Sequence, residues 1–146
     1  MPERNSITRN LGKMDIDVTS LEWEHITKLF KGPLMFKNSA HPNDIQQGML
    51  GDCYLLSSLS SIAEYPSLAE RIVEYEDNQS GLYGIWLCLD GEWQLITVDG
   101  WLVVRSADKR VAFSYSNDEE LWVSIIEKAY AKAYGNFQHI NGGRTY

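Results

Sequence analysis

The sequence QQGMLGDCYLL occupies residues 46–56 and joins two unlike patterns. Before Cys53 the chain carries glycines and polar residues, which is typical of a loop. From Cys53 onward, apolar residues recur at the spacing of a helix, and Pro66 closes the segment. The recurring residues are Leu55, Leu56, Leu59, Ile62 and Ala63. The pattern therefore predicts a buried helix that begins at Cys53.

This placement gives the Cys53 thiol two possible roles. The first turn of a helix presents unpaired N–H groups and the positive end of the dipole, and both favour a thiolate, the nucleophilic form of cysteine. The amide of Gln47, six residues earlier, and the backbone N–H of Cys53 would then form an oxyanion hole. The alternative is a small buried hydrophobic side chain, the usual role of an isolated intracellular cysteine. The residues alone leave both interpretations open.

Shorter helices are expected on both sides of this one. Ser20 is suited to cap a helix that Gly32-Pro33 would end, with one apolar side formed by Trp23, Ile26, Leu29 and Phe30. Residues 37–52 are interpreted as a loop. A second short helix is predicted at about residues 67–74, followed by a turn at residues 75–81.

The middle of the chain has the features of antiparallel strands. Two Asp-Gly pairs, at residues 90–91 and 99–100, separate three apolar segments and are strong signals for short turns. The segments are YGIWLCL at 83–89, EWQLITV at 92–98 and WLVVR at 101–105. A further short strand is expected near residues 111–115. Cys88, inside the first segment, is interpreted as a structural side chain.

A last helix is predicted after residues 116–119, SNDE, which have the form of a capping box and place acidic residues where the helix dipole favours them. Its buried stripe would be Leu121, Trp122, Ile125, Ile126 and Ala129, and Gly135 would lie just past its end. The fold class expected is α+β: a helical core built on the Cys-bearing helix, plus a small antiparallel sheet.

Composition excludes several kinds of protein. The 146 residues suit one domain, and 44% of them are hydrophobic, which is enough to form a core. The chain has 20 acidic against 13 basic residues, a net charge of -7, which argues against a general nucleic-acid binder. It contains no apolar run long enough to cross a membrane and no secretory signal at its start. With two cysteines and no such signal, an intracellular, cytoplasmic setting is expected.

The stretch Q-G-x-L-G-D-C, followed by an aromatic residue and two leucines, resembles the active-site signature of the calpains, which are papain-like, calcium-dependent cysteine endopeptidases. Four further segments match this family in order and spacing. They are GEW at 91–93 leading to Val98-Asp99, ELW at 120–122, EKAYAK at 127–132 and NGG at 141–143. The resemblance covers residues 21–146 and implies the first, nucleophile-bearing lobe of the protease core. Residues 1–20 are interpreted as a polar leader, and the second lobe is absent from this chain.

The resemblance implies roles for residues around a substrate cleft. Cys53 matches the nucleophile and Gln47 the oxyanion-hole glutamine. Gly143 matches the loop glycine that pairs with a protein or peptide substrate in extended conformation. The neighbouring substrate-binding residues would be Gly142, Gly51 and Tyr54.

The resemblance also implies a Ca²⁺ site within this lobe. Asp44 and Glu120 match its carboxylate ligands, and backbone carbonyls of Lys37 and Ser39 would complete the shell, in keeping with the preference of calcium for hard oxygen ligands. From the residues alone, an Asx turn is the favoured role of Asp44 and a partner for a helix dipole that of Glu120, and only the resemblance favours calcium.

Three positions depart from the family pattern. Tyr54 stands where most animal calpains have Trp, and because both rings are flat and amphipathic a cleft-facing role is retained. Ser39 replaces a glycine and constrains its loop. Pro42 replaces an arginine that in calpains pairs with the second lobe and links calcium binding to domain closure; proline has no charge for that pair, which leaves this coupling open and the calcium site itself intact.

The general base is the missing part of the predicted active site. In calpains the catalytic histidine and asparagine lie in the second lobe, and the three histidines present, His25, His41 and His139, do not match them. His41 lies near Cys53 in sequence, but a His-Pro step is more often a surface turn.

Three functions remain open from the sequence. The first is the nucleophile lobe of a calcium-dependent endopeptidase, inactive or nearly so without its second lobe. The second is a catalytically inactive, calpain-like interaction module, against which the retention of Cys53 and Gln47 argues. The third is an acidic calcium-binding module in which Cys53 is incidental.

Overall fold

A computed structural model of the protein describes residues 16–142 and has five helices and seven strands within that range. The helices are α1 (Ile26–Leu29), α2 (Cys53–Ala63), α3 (Pro66–Arg71), α4 (Trp122–Ala133) and α5 (Phe137–Ile140). The strands are β1 (Leu21–His25), β2 (Ile45–Gln46), β3 (Val73–Asp77), β4 (Leu82–Leu89), β5 (Glu92–Asp99), β6 (Trp101–Arg105) and β7 (Tyr115–Ser116). Short 3-10 turns lie at Val18–Ser20 and Pro42–Asp44. Most of the polar leader predicted at residues 1–20 lies outside the described residues.

Helix α4 forms the centre of the core. Eight of its 12 residues are buried, and five of these share one cluster with residues of α2, β4 and β5. A helix that is buried nearly all round belongs in a protein interior. The main cluster contains Leu55, Leu56 and Leu59 from α2, Ile125, Ile126 and Ala129 from α4, and Tyr83, Ile85 and Val98 from the strands. The predicted α+β class and the helix beginning at Cys53 are confirmed.

The strands form three small antiparallel sheets rather than one. Their orders are β1-β6, β2-β7 and β3-β4-β5. Asp90 and Gly91 make the tight β4–β5 turn with positive φ angles of 51° and 81°, as a type I′ turn requires. The second Asp-Gly pair is a corner instead, because β6 leaves β5 and pairs with β1. There Gly100 approaches Gly81 so closely that a Cβ would lie 2.7 Å from the Gly81 Cα.

The first predicted helix was wrong over most of its length. Leu21–His25 is a strand, in which Trp23 pairs with Val103 of β6, and only Ile26–Leu29 is helical. The apolar spacing from Trp23 to Phe30 fits a helix, but pairing with a strand about 80 residues away overrides it. Such non-local pairing leaves no signal in the local spacing.

The capping box predicted at residues 116–119 was also wrong. Helix α4 begins at Trp122, its N-cap residue Leu121 makes no side-chain cap, and Glu119 has a positive φ of 58°. The acidic residues therefore precede the helix in a loop. The contacts of these acidic residues, described below, account for their position outside the helix.

Other boundaries differ by a few residues. The short helix α3 ends at Arg71 rather than at residue 74, and residues 75–77 belong to β3 rather than to a turn. Near residues 111–115, Val111 makes a single bridge to Val104, and the two-residue strand β7 pairs with β2. Cys88 is exposed on β4, so its expected packed position was wrong.

Among the described residues, no helix is long and apolar enough to span a membrane.

Candidate active site

Cys53 is the first residue of α2, and its side chain is exposed. The helix starts on the backbone carbonyl of Asp52, which accepts hydrogen bonds from the N–H groups of Leu55 at 2.9 Å and Leu56 at 3.2 Å. The buried side chains of these two leucines anchor this turn in the core. The N–H groups at the very start of the helix have no partner within it. An exposed thiol thus lies next to donors that can bind an anion.

The Gln47 loop forms one side of this site. The Gln47 Nε2 donates to the Leu50 carbonyl at 2.8 Å, and the Met49 N–H donates to the Ala112 carbonyl at 2.9 Å. Gly48 lies so close to the backbone of residues 112–113 that a Cβ would be 2.3 Å from the Phe113 carbonyl oxygen. One N–H of the Gln47 amide is therefore used within the loop, and the other is the group that the oxyanion hole would need. The oxyanion role of Gln47 stays a prediction.

The segment before residue 143 forms the other side. Asn141 Oδ1 accepts the Gly51 N–H at 2.7 Å, and the Gly142 N–H donates to the Gly51 carbonyl at 2.6 Å. The Tyr54 hydroxyl donates to the Ile140 carbonyl at 2.7 Å. The structure thus brings three of the predicted substrate-binding residues together beside Cys53. Gly143, the fourth, lies outside the described residues.

Two buried carboxyl groups belong to Asp52, which precedes Cys53 in the chain, and to Glu127 of α4. Asp52 is 0% exposed and Glu127 is 2% exposed, and the two carboxyl groups interact electrostatically. Burial, together with the Asp52 carboxylate, raises the pKa of Glu127 well above its usual range. Burial likewise raises the pKa of Asp52. Sequence reasoning had used Glu127 only as part of a matching motif and had assigned it no contact.

The remaining residues of the motif at 127–132 tie α4 to its surroundings. The Lys128 Nζ bonds to the Asp99 carboxylate and to the Trp101 carbonyl, at the corner between β5 and β6. Burial lowers the pKa of Lys128. The Tyr130 ring meets the Tyr54 ring edge-on, with centroids 6.3 Å apart. The motif is therefore explained by contacts to α2 and to the corner between β5 and β6.

A second cluster is a candidate metal centre. Each of Asp44, Asp118 and Glu120 offers a carboxylate oxygen, and these oxygens all lie within 4.8 Å of one another. Glu120 is 2% exposed; its Oε2 accepts the Lys37 N–H at 2.8 Å, whereas its buried Oε1 has no donor among the described residues. Burial raises the pKa of Glu120, and the charges of Asp44 and Asp118 add to this. A bound cation would offset the repulsion among the three carboxylates and would give the Glu120 Oε1 a partner.

Asp118 was missed because it was assigned to a helix cap. The signal was present as a third acidic residue two positions before Glu120. The structure also places the predicted carbonyl ligands, Lys37 and Ser39, in the exposed segment whose backbone bonds to Glu120. Pro42 is the first residue of the 3-10 turn that ends at Asp44.

The three histidines make local contacts away from the thiol. His25 Nδ1 bonds to the Thr27 hydroxyl, and its other nitrogen to a loop carbonyl. His41 Nδ1 accepts the Asn43 N–H at 3.1 Å and so caps the turn that leads to Asp44. His139 Nδ1 bonds to the Tyr134 carbonyl. Within residues 16–142, no histidine is hydrogen-bonded to Cys53.

Comparison with known proteins identifies the family of this chain. A family model described as "Calpain family cysteine protease" matches residues 1–146. The chain is 39% identical over 111 residues to the calpain-type cysteine protease ADL1 of Oryza sativa subsp. japonica, and 38% identical over 111 residues to the calpain-type cysteine protease DEK1 of Arabidopsis thaliana. Each alignment covers 76% of this chain and 5% of the plant protein.

Animal relatives align over more of the chain. The calpain-1 catalytic subunit of Bos taurus is 32% identical over 142 residues, which is 94% of this chain and 20% of the relative. The chain therefore spans a fifth or less of the relatives that it matches. Because the family match extends over the whole sequence, the chain belongs to the calpain family of cysteine proteases.

Proposed function

We propose that this chain is the nucleophile-bearing lobe of a calcium-dependent cysteine endopeptidase, inactive or nearly so until a second lobe supplies a base. The observation that carries the proposal is the exposed Cys53 thiol at the first turn of α2. It lies between the Gln47 loop and the pair of hydrogen bonds that join Gly51 to residues 141–142. An extended peptide fits such a cleft because its backbone can pair with the glycine-bearing walls.

The chemistry proposed is acyl transfer through a thioester. The Cys53 thiolate attacks the peptide carbonyl carbon, a C–S bond forms, and the carbonyl electron pair moves to the oxygen. The Cys53 N–H and the second Gln47 amide N–H would bind this oxyanion. Its collapse breaks the C–N bond, and the leaving amine takes a proton from an imidazolium. Water then hydrolyses the thioester and regenerates the thiolate.

The general base in this scheme comes from outside the chain. His25, His41 and His139 are each held by local hydrogen bonds that serve a strand end, a turn and the segment after α4. A second lobe carrying a histidine and an asparagine would complete the site, as the family resemblance implies. This lobe is the partner that the proposal requires, together with a protein substrate.

Calcium is proposed at the cluster of Asp44, Asp118 and Glu120. Ca²⁺ takes six to eight oxygen ligands, and three carboxylates with a buried, unmet Glu120 oxygen fit that chemistry. The ion would supply the charge that lets these groups stay together next to the start of α4. Calorimetric titration of the Asp44→Ala plus Glu120→Ala variant with CaCl₂ tests the site; an affinity equal to that of the unaltered chain would show that it is misassigned.

The proteolytic proposal is tested in the two-lobe protein with CaCl₂ and a peptide substrate. Cys53→Ala should abolish turnover, because it removes the thiol at the start of α2 that forms the thioester in this proposal. Cys88→Ala is the matched control, since that thiol is also exposed but lies on β4, and it should leave turnover unchanged. Activity undiminished by Cys53→Ala would overturn the proposal.

A further inference from the structure

The Gln47 loop is attached, on both sides of Gln47, to the chain segment that ends in β7. On one side, Gln46 of β2 pairs with Tyr115 of β7. On the other side, the Met49 N–H donates to the Ala112 carbonyl at 2.9 Å. The position of Gln47, which lies between these two attachments, therefore follows the position of that segment.

Ser114, in the middle of this segment, is hydrogen-bonded to α4 through all three of its polar groups. Its N–H donates to Glu127 Oε2 at 3.0 Å, and its hydroxyl donates to Glu127 Oε1 at 2.8 Å. Its carbonyl accepts the Ser124 hydroxyl at 2.7 Å. Because Ser124 precedes Glu127 by three residues, both side chains lie on the same face of α4. This face of the helix therefore fixes both the side chain and the backbone of Ser114.

The network is buried, and it contains a group that is costly to bury. Ser114, Ser124 and Glu127 are all buried. A carboxyl group loses far more hydration on burial than an apolar side chain does, so an apolar residue would fill the place of Glu127 at a lower cost. An apolar residue could not, however, bind the N–H and the hydroxyl of Ser114 together. What Glu127 adds is a fixed orientation of the backbone at Ser114.

We propose that Glu127 and Ser124 are positioning residues, which hold Ser114 and, through its segment, set the place of the Gln47 amide for its proposed role as an oxyanion donor. Neither side chain takes part in a chemical step, because each acts through the backbone between Ala112 and β7. The effect on catalysis rests on the proposed protease function, whereas the hold on the Gln47 loop does not and is measured separately.

The hold on the loop is tested in this chain by NMR measurement of hydrogen exchange at the Met49 amide. Glu127→Leu removes both acceptors of Ser114, so exchange at Met49 should become about tenfold faster. The Trp86 N–H, bonded at 2.7 Å to the Ile72 carbonyl outside this network, is the reference and should change less than about twofold. Glu127→Gln keeps an acceptor for the Ser114 N–H and a donor for its hydroxyl, so exchange at Met49 should stay within about threefold. An equal change at Met49 and Trp86 in Glu127→Leu would overturn the proposal.

The action through Gln47 is tested by a double-mutant cycle in the two-lobe protein with CaCl₂ and a peptide substrate. Glu127→Leu should lower kcat about tenfold and leave KM within about twofold, because a displaced oxyanion donor is lost mainly from the transition state. In a Gln47→Ala background the same substitution should lower kcat less than about twofold, because the donor that it displaces is already absent. An effect through Asp52, which interacts electrostatically with Glu127, or through the overall fold would persist in that background. A tenfold loss in both backgrounds would therefore refute the positioning role.

Ser124→Ala decides the proposal if Glu127→Leu does not fold. This variant removes one hydrogen bond from Ser114 and leaves Glu127 in place, so exchange at Met49 should become about fivefold faster while exchange at Trp86 stays constant. Exchange at Met49 that is unchanged in Ser124→Ala would then overturn the proposal. If the two-lobe protein has no activity at all, the protease proposal fails, while exchange at Met49 still shows whether α4 holds the loop.

Discussion

The backbone N–H of Gly51 donates a 2.7 Å hydrogen bond to the side-chain oxygen of Asn141, 90 residues further along the chain. The Gly142 N–H donates back to the Gly51 carbonyl at 2.6 Å. These two bonds join the loop before Cys53 directly to residues 141–142. The position of that segment beside Cys53 therefore depends on a side chain outside the Cys53 motif.

Removing this side chain should weaken substrate binding. Asn141→Ala deletes the acceptor for Gly51, and loss of one such bond is worth about 1 kcal/mol, or about fivefold. We expect KM to rise by about that factor in the two-lobe protein, because the wall that pairs with substrate loosens. Asn141→Asp keeps an acceptor oxygen and is the control. An unchanged KM for Asn141→Ala would contradict this role.

The Gln47 loop gives a second prediction, which concerns stability. A Cβ at Gly48 would lie 2.3 Å from the Phe113 carbonyl oxygen and 2.5 Å from that of Ala112, and backbone atoms cannot move aside cheaply. Gly48→Ala should lower the free energy of unfolding by about 2 kcal/mol. Urea denaturation measures the change. Met49→Ala in the same loop alters an exposed side chain and should change stability by less than about 0.5 kcal/mol.

The sequence predicted those parts of the fold that local rules govern. The helix beginning at Cys53 follows from a loop that ends at a glycine and from apolar residues at helical spacing, and the Asp90-Gly91 turn follows from positive φ angles that few residue pairs tolerate. Local rules could not predict the strand Leu21–His25, because its partner β6 is remote in sequence. The same holds for the corner at Gly100, where contact with Gly81 decides the path.

The residues of the candidate sites also divide into those with a local signal in the sequence and those without one. Cys53 and Gln47 could be proposed from local features, a helix N-terminus and a nearby amide, and the helix does begin at Cys53. The electrostatic interaction between Asp52 and Glu127 was not found, because no spacing rule relates residues of two helices that pack together in the core. Asp118 was missed for a different reason: acidic residues before a helix fit a cap as well as a cation site.

The third prediction concerns Asp118 as a ligand. Asp118→Asn removes one negative charge from the cluster with Asp44 and Glu120, so Ca²⁺ affinity should fall about tenfold, or about 1.4 kcal/mol. Calorimetric titration with CaCl₂ measures it. Glu119→Gln is the matched control, because that exposed carboxylate pairs with Lys37 outside the cluster, and its affinity should change less than about twofold. If the two variants bind Ca²⁺ equally, Asp118 is not a ligand.

The last prediction is the pH dependence of stability. In the unfolded chain a glutamate carboxyl has a pKa of about 4.3, whereas burial and the Asp52 carboxylate raise the pKa of Glu127 well above this value in the folded chain. Below about pH 4 both states hold the proton, so the contribution of Glu127 to stability is fully present. As the pH rises toward the folded-state pKa, only the unfolded chain releases it, and the free energy of unfolding falls by about 1.4 kcal/mol per pH unit. The raised pKa of Asp52 acts in the same direction.

Glu127→Gln cannot release a proton, and its amide still reaches Asp52 and Ser114. Its free energy of unfolding, relative to the unaltered chain, should therefore increase steadily between pH 4 and pH 7 in urea denaturation. Glu64→Gln is the control, because Glu64 is exposed at the end of α2, and its difference should stay constant over the same range. A Glu127→Gln difference that is equally constant would mean that the buried carboxyl ionises alike in the folded and unfolded chain, which would contradict the raised pKa.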